Sequence, residues 1–412
     1  MNRAVVVVYR PEGGRYRSQL RAVVAQAKRL GREPIALLPE GWSTAETRGL
    51  ITYHADLDDE ADATAAFDLV CAEHDVERVF PLFEGDVLPA SRWRKKHGIP
   101  GLLPDQALNF RDKNVMHLRA EELGVRVARS CQPHTLGTVL QFADEVGFPV
   151  VVKPAAGWAC GGTHRVDSEA DLRRVWGVVG DDRHHYRVEE FIHGAEYHVD
   201  VLVQDGQTRF EQLSKYTYSI LDYRDEPGGT ISRKYDLSPV ERGILELNAV
   251  VLNGFELRTG VSHAEYFVRD DGEIVFGEAA ARAGGGSIVP AIEAGCGINL
   301  AGEWCALELD PTHRPPTRLG PEIGTEYLST DQVGPIVSMS TRADLLAIDS
   351  VLDAQLWKQV GDVLQPPTAS NDVLGWYVCR GTGEEDIRGR FKTIRDRFVV
   401  RTGAVGQAEG RS

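Results

Sequence analysis

The sequence predicts an α/β chain of two or three domains that opens on a parallel sheet. Three observations carry this. Short apolar runs alternate with helical patterns over roughly the first hundred residues, the order that builds parallel strands covered by helices. At 412 residues the chain exceeds the size at which one core stops growing. Its 42% apolar and 26% charged residues are those of an ordinary globular protein.

The elements follow in order. Residues 4–9, "AVVVVY", are a continuous apolar run, as a strand buried on both faces requires. "YRSQLRAVVAQAKRLG" has helical spacing and a glycine stop. "EPIALLP", "GLITYH" and "ERVFPLF" are three further strands, and the glycine- and proline-rich "HGIPGLLPD" (97–105) closes this unit. "VVVVYRPEGGRYRSQL" puts glycines after a strand but lacks GxGxxG spacing, so it reads as a connecting loop. A second segment opens on the helix "FRDKNVMHLRAEELGV", capped by Asp112. It continues through the strand "FPVVVKP", the glycine-rich "AAGWACGGTHRV" and the helix "SEADLRRVWGVV". A third begins at "YRVEEFIHGAEYHVDVLV", contains the long helix of "YDLSPVERGILELNAVVLNGFEL", and ends strand, helix, strand in "LGWYVCRGTGEEDIRGRFKTIRDRFVVR". The expected domains are 1–104, 105–187 and 188–412.

Composition narrows the function. A net charge of -15 argues against a general binder of nucleic acid or anionic membranes. No apolar run is long enough to span a bilayer, and the N-terminal run is too short for a signal peptide. The six cysteines are scattered without a CxxC pair, which fits free thiols in a reducing, cytoplasmic compartment. A homodimer is the default assembly.

The chemistry concentrates around "SHAEYFVRDDGEIVFGEAAARAGGG". Glu278 and Arg282 are spaced as a helical ion pair, yet three glycines follow at once, which a helix interior disfavours. Asp-Gly at 271–272 signals a two-residue type I′ hairpin. Asp270 then faces Glu273, and counting back along both strands brings Glu265 opposite Glu278. Like charges so placed repel unless one is protonated or a cation lies between them, and Mg²⁺ takes such oxygen ligands. The alternative is a solvated sheet face with two unrelated acids, and a three-residue loop would shift the register. Arg282 would offer a planar fork to a phosphate, with Gly284, Gly285 and Gly286 admitting a ligand close to the backbone.

Other candidates lie upstream. Lys153 closes an apolar strand just before a glycine loop at Gly157, Ala159, Cys160, Gly161 and Gly162, whose N–H groups suit an anion as well as a plain turn. Cys160 has no identifiable base and is not read as a nucleophile. Lys113 sits in the first turn of a helix, where the dipole disfavours a cation unless an anion joins it. "VEEFIHGAE" offers acids at Glu189, Glu190 and Glu196 and an apolar pair, Phe191 and Ile192, that could flank a base; an edge strand with solvated acids is the plainer reading. Glu84, closing the fourth strand, stands where open α/β sheets contact ligands, or is a surface acid. Lys215, Arg233 and Lys234 read as a solvated basic cluster, the alternative being that they face the pocket.

Taken in order, "RDK", "VVVKP", the glycine loop, "EEFIHGAE", Glu265 and "FGEAAARAGGG" resemble the ATP-grasp superfamily over roughly residues 1–310. Within it, "FGEAAARAGGG" is similar to carboxylate–amine ligases that join unprotected amino acids. The resemblance implies an ATP-grasp fold: a Rossmann-like parallel-sheet domain, a small central lid, and a C-terminal α+β domain with an antiparallel sheet. It implies that Lys113 and Lys153 hold ATP phosphates under the glycine loop. Glu189, Glu190, Phe191 and Ile192 would form the adenine hinge, and Glu196 would bind the ribose. Glu265 and Glu278 would carry Mg²⁺, with Mn²⁺ able to substitute. Arg282 would steady an acyl phosphate, with the carboxylate substrate near Glu84, Arg282 and Gly284–Gly286. Ala280 stands where many members carry a metal-binding asparagine, and Trp158 is bulky for a phosphate loop. The implied reaction joins a small carboxylate to an amine with release of ADP and phosphate. Rival readings on the same scaffold are a small-molecule kinase, a bicarbonate-using carboxylase-type ligase, and an ATP-binding module without turnover.

Overall fold

The computed structural model describes residues 3–11, 16–157, 161–219, 221, 228–316, 320–366 and 373–403. These form two compact units: one of Met1–Ser214, Lys234–Gly284 and Ile298–Thr317, the other of Lys215–Arg233, Gly285–Gly297 and Arg318–Ser412.

The first unit opens with the expected parallel sheet. Strands β1 (Ala4–Val8), β2 (Glu33–Pro39), β3 (Ile51–Ala55) and β4 (Val76–Pro81) lie in the order β3-β2-β1-β4, all parallel. Every residue of β1 is buried, which is why its sequence is an unbroken apolar run. Helices α1 (Arg17–Arg29), α2 (Glu60–Glu73) and α3 (Val87–His97) accompany it. Phe67 of α2 and Trp93 of α3 stack with ring centroids 4.7 Å apart in its core.

After α4 (Pro104–Leu108), helix α5 (Lys113–Glu122) starts where Asp112 accepts from the Asn114 and Val115 amides, as its sequence predicted. A small sheet follows, with α6 (Leu136–Val146) and α7 (Glu169–Val179). Its strands β5 (Ser130–Cys131), β6 (Val150–Pro154), β7 (His164–Val166) and β8 (Tyr186–Glu190) take the order β5-β8-β6-β7.

The rest of this unit is antiparallel. Strands β9 (Ala195–Gln204) and β10 (Gln207–Tyr216) precede β11 (Gly229–Arg233) of the second unit. Helix α8 (Pro239–Gly254) has the capping box of Ser238 and Glu241. Strands β12 (Gly260–Val268) and β13 (Ile274–Ala280) then run in the order β13-β12-β9. Met116 and Ala120 of α5, Ile244 and Val251 of α8, Phe255, Tyr266 and Phe276 make one buried cluster. Burying each large side chain contributes roughly 1.5–3 kcal/mol, and the cluster seats α5 on β13.

In the second unit, helix α9 (Ile288–Cys296) precedes α10 (Leu300–Leu309), which belongs to the first unit. Strands β14 (Glu322–Leu328), β15 (Gly334–Met339), β16 (Val351–Leu356), β17 (Val363–Leu364), β18 (Gly375–Gly381) and β19 (Val400–Thr402) follow, with α11 (Arg342–Leu346) and α12 (Glu384–Arg397). The order is β11-β14-β18-β16 in one sheet and β17-β15-β19 in another. The closing strand, helix and strand match the sequence reading as β18, α12 and β19.

Three expectations change. β8 and β9 are interior strands rather than an edge with solvated acids, because each has a neighbour on both sides. Lys215 is not a solvated cation; it lies 3.2 Å from Glu384 of α12. The hairpin of β12 and β13 is not type I′. Arg269, not Asp270, faces Glu273, since the Arg269 amide donates to the Glu273 carbonyl at 3.0 Å. The loop is three residues long with Gly272 at φ 86 in the left-handed region.

Removing the α8 cap tests local stability away from the site. Ser238→Ala should lower unfolding free energy by about 1 kcal/mol, read as a lower urea midpoint at unchanged m-value.

Candidate active site

A three-residue loop alone would put Glu278 out of register with Glu265. The structure restores the pairing. Near the turn Phe267 pairs with Val275 and Tyr266 with Phe276; Gly277 is then bulged out, and Glu265 pairs with Glu278. A Cβ on Gly277 would lie 3.0 Å from the Phe267 ring and 3.1 Å from the Glu265 carbonyl oxygen. The bulge position therefore favours glycine. The two acids face each other as the sequence suggested, by a different route.

Cations gather on this pair. Lys113 Nζ lies 2.9 Å from Glu278 Oε2 and 3.3 Å from the Gly157 carbonyl oxygen. Burial pushes the Glu278 carboxyl up, but Lys113, Lys153 and Arg282 outweigh it and hold the group down at about 2. Burial likewise lowers the Lys113 ammonium, and Glu278 reverses this and raises it. Arg282 does not pair with Glu278 along a helix: β13 is a strand, and Arg282 Nε lies 2.6 Å from Glu84 Oε2. Glu84 is thus buried and ion-paired rather than a surface acid.

The small sheet supplies the next layer. Lys153 closes β6 and reaches diagonally to Glu189 of β8, Nζ to Oε2 at 2.7 Å. Arg187 Nε lies 2.6 Å from Glu189 Oε1. Burial would raise Glu189, yet Lys153 and Arg187 bring it from its ordinary 4.5 down to about 2. Glu190 turns to the opposite face and meets Arg126 at 2.5 Å and Arg129 at 3.3 Å. The Arg165 guanidinium lies 4.7 Å from the Phe191 ring centre, and Ile192 is buried with Ala128 and Val275. Glu196 is half-buried on β9, paired with Phe267 of β12.

In the glycine loop, Ala159 and Cys160, with Trp158, lie outside the described residues. Gly157 accepts from Lys113, Gly161 is exposed, and Gly162 has φ 69 with the Tyr186 hydroxyl 2.9 Å from where a Cβ would stand. Gly284 is buried in the first unit. In the second unit Gly285 borders open space, and Gly286 at φ 58 is crowded by Tyr327.

Sequence reasoning missed three residues. Arg187 is 1% exposed, forms an ion pair with Glu189, and bonds Ser130, His117 and the Lys113 carbonyl. Its only sequence signal was its place two residues before Glu189, on the same face of one strand. Arg111 donates to the Ala156 and Gly157 carbonyls. His263 lies between Asp200, at 3.0 Å, and Glu265, at 3.4 Å.

Residues 146–291 match the model of an ATP-grasp domain, and residues 326–403 match L-amino acid ligase C-terminal domain 2. Residues 146–291 are thus those of an ATP-grasp domain. Its ATP-grasp match contains Lys153, the Glu189 strand and both facing acids. An L-arginine-specific L-amino acid ligase of Bacillus subtilis is 28% identical over 327 residues, covering 77% of this chain and 78% of that protein. The crystal structure of an L-amino acid ligase from Bacillus licheniformis superposes with a TM-score of 0.80 at 18% identity, covering 98% of this chain and 99% of the other. N5-carboxyaminoimidazole ribonucleotide synthetase from Thermotoga maritima gives 0.72 at 16% identity, over 97% and 100%. These solved structures share the ATP-grasp fold. Among the described residues no helix is long and apolar enough to cross a membrane.

The buried Glu189 should govern acid stability. Its folded pKa is depressed, so its contribution is complete above about 4.5 and drains away as pH falls toward about 2. Glu189→Gln strands Lys153 and Arg187 and should cost about 3 kcal/mol at neutral pH. Acid titration of unfolding checks it: the variant should lose less stability than the wild type through that window.

Proposed function

We propose that this ATP-grasp chain is an ATP-dependent carboxylate–amine ligase that joins amino acids, or a small carboxylic acid and an amine. The observation that carries the reading is the directly paired Glu265 and Glu278 with Lys113 on one of them and Lys153 close by. Two hard carboxylates converging from neighbouring strands fit Mg²⁺, and Mn²⁺ shares that oxygen preference. Glu265 and Glu278 would hold the ion, which when bound neutralises charge on the phosphate oxygens of ATP.

The chain's own residues do the rest. Lys113 and Lys153 bring ammonium groups to phosphate, while Glu189 keeps Lys153 extended from the end of β6. The hinge of Glu189–Ile192 would take the adenine, and Glu196 the ribose. Arg282, fixed by Glu84 and donating to the Ala283 carbonyl at 2.9 Å, would face the reacting carboxylate. A carboxylate oxygen attacks the γ-phosphorus, the bond to the β-bridging oxygen breaks, and ADP leaves. The amine nitrogen then attacks the acyl carbon, phosphate leaves, and an amide remains. Such chemistry asks for positioning and charge neutralisation more than for proton transfer. The name of the Bacillus subtilis relative, an L-amino acid ligase, supports amino acids as substrates. Five described cysteines are free, which supports a cytoplasmic setting, and we take a homodimer as the assembly.

With ATP, Mg²⁺ and an amino-acid panel, the enzyme should release ADP and phosphate in step with an amide product seen by mass spectrometry. AMP in place of ADP overturns the acyl-phosphate route. A phosphorylated product without free phosphate indicates a kinase, and dependence on bicarbonate indicates a carboxylase-type ligase. Glu278→Gln should lower turnover by roughly 100-fold or more, the scale for losing one preorganised charge-stabilising group.

A further inference from the structure

We propose that His117 is a positioning residue for the facing acids: it holds the β13 bulge that turns Glu278 toward Glu265, and it ties that bulge to the Lys153–Glu189 pair. The inference rests on reading Glu265 and Glu278 as metal ligands.

One face of α5 meets β13. Lys113, Met116 and His117, spaced three and four apart, address three consecutive residues of β13. His117 Nε2 lies 2.8 Å from the Gly277 carbonyl oxygen. Lys113 Nζ meets the Glu278 carboxylate at 2.9 Å. Met116 Sδ accepts from the Ala279 amide at 3.4 Å. The middle contact neutralises charge; the outer two grip backbone. Gly277 has no side chain with which to anchor itself, and a bulge leaves ladder groups unpaired. A donor from outside the ladder is what keeps its carbonyl, and so the next side chain, in one orientation.

The tautomer follows from the partners. Arg187 has donors only, and its NH2 group lies 2.9 Å from His117 Nδ1. Nδ1 is therefore the acceptor, the single proton sits on Nε2, and Nε2 donates to Gly277. Both ring nitrogens are used and the ring is neutral. Burial, which pushes His117 down to about 4, keeps it so. Beyond Nδ1, Arg187 continues to Glu189 at 2.6 Å, and Glu189 to Lys153 at 2.7 Å. One imidazole thus spans from the bulge beside Glu278 to the ion pair that places Lys153.

Two measurements test this on the full chain. In ¹⁵N-histidine NMR, His117 should appear as the neutral Nε2–H tautomer from about pH 6 to pH 8, where an ordinary histidine titrates. An Nδ1–H tautomer, or an imidazolium in that range, overturns the proposal. Mn²⁺ binding with a non-hydrolysable ATP analogue, followed by electron paramagnetic resonance, gives the second readout without turnover. His117→Phe keeps ring volume and loses both bonds; it should weaken Mn²⁺ by roughly tenfold or more, as removal of outer-sphere support does. His117→Gln, which keeps an N–H donor near Nε2, should recover most of the affinity, which a merely space-filling role would not predict. A folded His117→Phe that binds Mn²⁺ like the wild type overturns the proposal; should that variant not fold, the tautomer and the glutamine variant still decide. Wild type that fails to bind Mn²⁺, or binds it unchanged after Glu278→Gln, overturns the two-acid reading itself, before any change at His117.

Discussion

Two carboxylates set face to face on neighbouring strands repel, and the chain surrounds them with cations that are themselves held in place. Lys113 takes Glu278 directly. Lys153 is positioned by Glu189, which also carries Arg187. Arg282 is positioned by Glu84. The site alternates charge so that each buried cation has an anion, because an unpaired buried charge costs several kcal/mol. Lys113, Lys153 and Arg282 act on Glu278, and His263 lies 3.4 Å from Glu265. On the proposed reading a divalent ion would sit between the two acids, and the lysines would exchange a carboxylate partner for a phosphate of the same sign.

The route by which the acids come to face each other shows how local rules combine. Asp271 and Gly272 do make a turn, but only Gly272 takes positive φ, so the loop is a residue longer than a type I′ turn. Left uncorrected, that single residue would send Glu278 to the other face of the sheet. The bulge at Gly277 corrects it, and its crowding against Phe267 and Glu265 accounts for a glycine in the middle of "FGEAA". Turn and bulge are two departures that cancel, and the functional pairing depends on both.

Much of the fold was legible because it rests on near-neighbour patterns. The apolar run of β1, the Asp112 cap, the Ser238 box and the closing strand, helix and strand are each set by residues a few positions apart. The pairing of Glu265 with Glu278 was read from a two-residue turn that the chain does not make, and it holds because the Gly277 bulge offsets the longer loop. The partners were not legible. The glycines already spoke against a helical pair of Arg282 with Glu278, but nothing nearby pointed to Glu84, far away in sequence, to which the guanidinium turns. His117 gave no signal and Arg187 only its alternation with Glu189, because a buried arginine explains itself only through the five groups around it, drawn from α5, β5 and β8.

The glycine cluster illustrates how one composition can hide different causes. At Gly277 the constraint is a bulge pressed against the facing strand. At Gly286, in the second unit, it is a tyrosine: a Cβ there would lie 1.7 Å from the Tyr327 hydroxyl oxygen, and φ is 58. At Gly285 no neighbour stands within 4 Å of a would-be Cβ. Packing therefore gives no reason for a glycine at Gly285. The sequence pattern treats "GGG" as one feature; physically, one of its members is explained by packing, another is left open, and the glycine that sets the pairing of Glu265 with Glu278 lies upstream of them all.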